Sequence, residues 1–181
     1  MWSDNDIKIA GDKPSRDIER NKIKAEIEQG LTKAQIDAAI EWGKEVALKF
    51  IEDTKNSEQD INEELNGEMF IHRRTLLSFT ATVGFEQLSD NDAISGIAQK
   101  SFIDTVRTTD AKLYDTLSDT GAYSFYYLAF RRGNEVDRRM GQTFAMLCSH
   151  DGDPIYQELG EALYCWFLSV VKQAAKKRNI N

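Results

Sequence analysis

Three adjacent arginine pairs, Arg73-Arg74, Arg131-Arg132 and Arg138-Arg139, are the residues of this chain best suited to gripping a ligand. A guanidinium is planar and permanently charged, so it can hold a carboxylate or phosphate through two parallel hydrogen bonds where a lysine ammonium offers a point charge. The arginines are also concentrated. Residues 73–139 hold seven of the ten arginines but only two of the thirteen lysines, which marks this stretch as the place to look for a site. Within it lie Tyr123, Phe125, Tyr126, Tyr127 and Phe130, five rings in eight residues. Five rings so close on one helix cannot all face one core, so one or two must reach a surface, a pocket or another subunit. Rings beside guanidinium groups stack flat molecules and hold anions, and the same combination suits protein interfaces. The candidate ligand-binding residues are therefore Tyr126, Tyr127, Arg131, Arg132, Arg138 and Arg139, with His150 beside them. Nine acids share residues 73–139, so internal Arg–carboxylate pairs are the competing explanation.

Other constellations are incomplete. His150-Asp151 resembles the helix-borne His-Asp pair of metal-dependent phosphohydrolases, yet the only other histidine is His72 and no aspartate follows Asp153. Carboxylate-bridged metal sites in bundles use Glu-x-x-His turns from paired helices, and none occurs here. Asp151-Gly152-Asp153 lacks the closing glutamate of a calcium loop, Glu161 being too near. No phosphate-binding glycine loop, nucleophile elbow or kinase-type motif is present. The chain is thus expected to use no cofactor and no metal, and nothing in it names a reaction.

Charge narrows the partners. Residues 1–72 carry 17 acids against 10 Lys or Arg, whereas the rest of the chain balances, so the whole net charge of −7 belongs to that first stretch. An acidic surface repels phosphate backbones, which argues against nucleic acid. It suits a basic protein partner or simply solubility. The densest apolar run, Leu163 to Val171, is about half the length of a membrane span. The acidic, polar start Met1 to Asp6 does not read as a secretory signal, and the expected location is cytoplasmic. Cys148 and Cys165 stand in apolar helical contexts without a CxxC, and both read as reduced core residues.

The elements that must position these residues are helical. With two prolines in 181 residues, long helices are possible nearly everywhere. Residues 1–12 read as an acidic arm and 13–181 as one α-helical domain, in which an acidic helical layer over 13–66 covers a core over 68–178. A first helix opens at Asp12-Lys13-Pro14 and stops at Gly30. Thr32 to Gln35 is a capping box before an apolar spacing that runs from Ile36 to Ile51. Lys55-Asn56-Ser57 reads as a polar break, followed by a short helix ending near Gly67 or by one longer helix running through it. Met69 to Leu88 is helical despite its threonines. Ser89 to Asp92 starts a helix that pauses at Thr108-Thr109-Asp110 and ends by Leu117. Tyr123 to Arg132 closes at Gly133, with Asn134 as the expected cap of the next helix. Asp153-Pro154 starts the last one cleanly.

That last helix carries Ile155, Leu159, Leu163, Trp166, Val170 and Ala174 on one apolar stripe, with Tyr156, Phe167 and Val171 widening it to a broad apolar face, and should lie at the centre. Gly84, Gly96, Gly141 and Gly160 stand singly in helical patterns and suggest close helix contacts. The fold expected is all-α: an irregular bundle of six to eight helices around the C-terminal one, without significant β-sheet. The function expected is a non-enzymatic protein-interaction module capable of self-association. The alternative is a small-molecule or anion-binding protein with an Arg/Tyr-lined pocket.

Overall fold

In the computed structural model, residues 30–59, 63–117 and 120–180 are described. The arm expected over 1–12 and the helix expected over 13–30 fall outside them, Gly30 apart. Seven helices and no strand occur among the described residues: α1 (Lys33–Gln59), α2 (Glu63–Gln87), α3 (Asp92–Thr109), α4 (Ala111–Thr116), α5 (Thr120–Arg131), α6 (Val136–Leu147) and α7 (Pro154–Lys176).

The boundaries follow from caps. The Asn91 carboxamide accepts from the Ala93 amide at 2.9 Å and starts α3. Asp110 ends α3 and starts α4: its amide donates to the Val106 carbonyl at 2.8 Å while its carboxylate accepts from the Leu113 amide at 3.0 Å. Asp153 caps α7 by accepting from the Ile155 amide, and Pro154 fills the first turn. Two expectations are corrected. The polar stretch Lys55-Asn56-Ser57 does not break α1, because the Thr54 and Ser57 hydroxyls bond back to the Phe50 and Asp53 carbonyls and the helix runs on to Gln59. Asn134 does not cap α6; that position is held by Glu135, in a left-handed conformation (φ 48°) with no side-chain cap.

Residues 34–181 form one compact unit with two aromatic nuclei. Trp42 meets Phe85 edge-on at 4.8 Å, and Phe102, Phe50 and Phe167 extend that cluster, so α1, α2, α3 and α7 share it. Around Phe79, the rings of Tyr123, Tyr126 and Phe130 lie within 5.1 to 6.1 Å and fasten α5 to α2. Threonines inside α2 keep their hydroxyls satisfied by bonding back, Thr80 to the Leu76 carbonyl at 2.8 Å among them.

α7 packs along α6 and α2. Glycines permit the closest approaches: Gly141 of α6 abuts the Gln157 carbonyl of α7, and Gly160 of α7 abuts the Phe144 ring. The face that α7 turns inward keeps Leu163, Phe167, Val171 and Ala174 of the expected apolar face but not its other flank. Gly160, Leu163, Tyr164, Phe167, Val171, Ala174 and Ala175 are buried. Ile155, Leu159 and Trp166 are instead exposed, at 73%, 36% and 42% of their surface.

Candidate functional site

The predicted arginine and tyrosine residues cluster where α5 meets α6, but the structure divides them. Arg132 and Arg139 line one small cleft of about 190 Å³ together with Gln142, Thr143 and Asp151. Arg139 is steadied there by its Nε, which donates to the Asn134 carbonyl at 2.7 Å. Arg131 turns back along its own helix: its Nη1 donates to the Tyr127 hydroxyl at 3.2 Å and its guanidinium lies 5.8 Å from that ring's centre. Arg138 reaches Glu135 at 3.5 Å on the surface. Tyr126 is fully buried against Phe79, and its hydroxyl has no hydrogen-bond partner among the described residues. Burial pushes that hydroxyl far above the ordinary tyrosine range, with Cys148 adding to the effect.

His150 stands apart from that cleft. Its ring stacks on Tyr156 with centroids 3.8 Å apart and planes 9° from parallel, and Nδ1 lies 3.9 Å from an Asp153 carboxylate oxygen. These contacts brace the α6–α7 turn. Elsewhere arginines make ion pairs, Arg73 with Asp53 at 2.7 Å and Arg107 with Asp104 at 2.6 Å. Among the described residues no group of three or more His, Cys, Asp or Glu could hold a metal ion. Cys148 is buried, as the sequence suggests, but Cys165 is exposed, because it lies on the outer flank of α7.

A larger cleft of about 510 Å³ was not anticipated. Phe102, Ile103 and Val106 of α3 form its apolar wall, Ser78 and Thr82 of α2 face them, and Tyr114, Asp115 and Tyr123 complete it from α4 and α5. The Thr82 hydroxyl donates back to the Ser78 carbonyl at 3.3 Å. Burial raises the Tyr123 hydroxyl above the ordinary tyrosine range; the Thr82 side chain lowers it and the charge of Glu86 raises it further. A sequence signal existed: Ser78 and Thr82, four apart in an apolar helix, share one face.

The third feature is the outer face of α7. Ile155, Leu159, Ala162 and Trp166 follow one another at intervals of four, three and four, all four exposed. Leu159, Ala162 and Trp166 line a shallow depression of about 250 Å³ whose far edge is the Asp53–Arg73 ion pair. No described helix is long and apolar enough to cross a membrane.

Comparison of the chain with protein-family models, with curated proteins and with solved structures found no match.

Proposed function

We propose that the protein is a non-enzymatic interaction module that self-associates through the outer face of α7. The observation that carries this reading is the spacing of the exposed row. Intervals of four, three and four put the row on one face of the helix, and such a face can pair with its own antiparallel copy about a two-fold axis. In that pairing Ile155 lies opposite Trp166 of the second copy and Leu159 opposite its Ala162, a large residue meeting a small one at the centre. The row carries no charge and continues through Ser169 and Gln173. A tryptophan in an uncharged strip is the composition of an interface centre rather than of bulk surface.

The strip is short, so the association is a concentration-dependent equilibrium rather than an obligate dimer. Sedimentation velocity between about 1 and 200 µM spans the affinities expected of an interface below standard size. A rise in mean mass towards the dimer is expected, abolished by Trp166→Glu and by Ile155→Glu and untouched by Phe125→Glu on exposed α5. A monomer throughout, or association indifferent to Trp166→Glu, refutes the reading.

A second reading has one specific observation in its favour, the convergence of Arg132 and Arg139 on a cleft the size of a small oxyanion. Pyrophosphate should then raise the unfolding temperature of the wild type and not that of Arg139→Ala. Tyr126, Tyr127, Arg131, Arg138 and His150 do not line that cleft.

A further inference from the structure

We infer that the 510 Å³ cleft between α2, α3, α4 and α5 is a binding site for a ring-bearing organic amine. Its volume lies in the range of clefts that enclose small organic molecules. Phe102, Tyr114 and Tyr123 give it three aromatic walls, and Ser78, Thr82 and Gln99 supply neutral hydrogen-bonding groups. A flat apolar ring system fits such walls, and the polar groups fix its orientation.

Charge selects the head group. Asp115, exposed, is the one charged residue among the described residues that line the cleft, and no lysine, arginine or histidine is found among them. Arg107, whose guanidinium lies 6.0 Å from the centre of the Tyr114 ring, is paired at 2.6 Å with Asp104. An ammonium entering here meets ring faces and a carboxylate. An anion would meet the Asp115 carboxylate and find no cation among the described lining residues to offset its lost hydration.

The test uses two probes with the same ring and opposite head groups, 2-(1-naphthyl)ethylamine and 1-naphthaleneacetate, with saturation-transfer NMR for contact and titration calorimetry for affinity. The amine is expected to bind about tenfold more tightly than the acid, the combined effect of a partly exposed ion pair and a cation–ring contact. Asp115→Lys, a change at an exposed helix position, should abolish or reverse that preference. Ile103→Trp, which places an indole across the cleft from a part-exposed position, should remove binding of both probes while circular dichroism remains that of the wild type. Equal or tighter binding of the acid by the wild type, absence of transfer to the amine at millimolar concentration, or a preference that survives Asp115→Lys overturns the assignment. The wild-type ratio alone suffices for this, whatever the stability of either variant.

Discussion

The indole Nε1 of Trp42 donates to the main-chain carbonyl of Val171 at 2.9 Å, joining the middle of α1 to the last turns of α7 across 129 residues. Both residues are fully buried, so this bond has no competition from water. Trp42→Phe keeps an aromatic ring beside Phe85 but removes the donor. The expected loss is about 1–3 kcal/mol in urea unfolding, and Trp42→Ala should cost about 3–5 kcal/mol. A Trp42→Phe variant as stable as the wild type would show that the bond contributes nothing net.

Two glycines should respond in opposite directions to the same change. A Cβ on Gly43 would run into the Ala98 carbonyl of α3, backbone against backbone, where neither side can give without moving a helix. Gly43→Ala is expected to destabilise by at least about 2 kcal/mol. Gly96 is exposed inside α3 with open space around it, so Gly96→Ala should stabilise by about 0.5–1 kcal/mol through helix propensity alone. Thermal and urea unfolding of the pair would check both signs.

Acid should loosen the junction between α1 and the end of α7. Glu45 receives Lys177 at 2.6 Å on one carboxylate oxygen and Arg178 at 2.7 Å on the other. The Lys177 hydrogen bond holds the carboxyl below the ordinary glutamate range, with Arg178 acting in the same direction and partial burial opposing them. Because the folded-state value is the lower one, the stabilisation is complete above the ordinary glutamate pKa and is lost as pH falls through the folded value. The stability gap between wild type and Glu45→Gln should therefore be largest near neutrality, about 0.5–1 kcal/mol for a partly exposed pair, and close below about pH 4. A gap independent of pH would assign the cost of the variant to something other than charge.

The two thiols should separate kinetically. Burial pushes the Cys148 thiol up to about 12, with the charge of Glu68 adding to the effect. Cys165 is exposed and raised less strongly. Since the thiolate is the nucleophile, Ellman titration of dilute native protein should show one prompt thiol and a second only on unfolding. Cys165→Ser should abolish the prompt phase; a prompt thiol persisting in that variant would contradict the buried placement of Cys148.

Most element boundaries were legible because they are written in short-range chemistry. Asn91, Asp110 and Asp153 accept main-chain hydrogen bonds within three residues of themselves, and such signals survive any tertiary arrangement. Lys55-Asn56-Ser57 misled because polar residues mark a break only when they compete for the backbone, and here the hydroxyls bond back along the helix instead. The orientation of α7 was illegible for a different reason. Its apolar residues cover more than half its circumference, so spacing alone cannot say whether Trp166 or Phe167 faces inward; Gly160, which only fits against Phe144, decides it.

The candidate site was legible in residue type and not in convergence. Internal ion pairs were the competing explanation of the arginine pairs, and Arg73 and Arg138, like the lone Arg107, have carboxylate partners. That Arg132 and Arg139 share a cleft while Arg131 and Arg138 do not depends on how α5 crosses α6, and no local pattern encodes a crossing. The larger cleft draws its walls from four helices spread over residues 78 to 123, each contributing residues of ordinary kind.

The bond from Trp42 to Val171 also sets a clock for synthesis. At about 5–20 residues per second, the carbonyl that Trp42 needs is made roughly 6 to 26 s after the indole itself. Throughout that interval the face of α1 bearing Trp42, Val46 and Phe50 has no α7 to lie against. Until then that face can lie only against α2 and α3, which supply Phe85 and Phe102, so the aromatic cluster is completed from the chain's last helix.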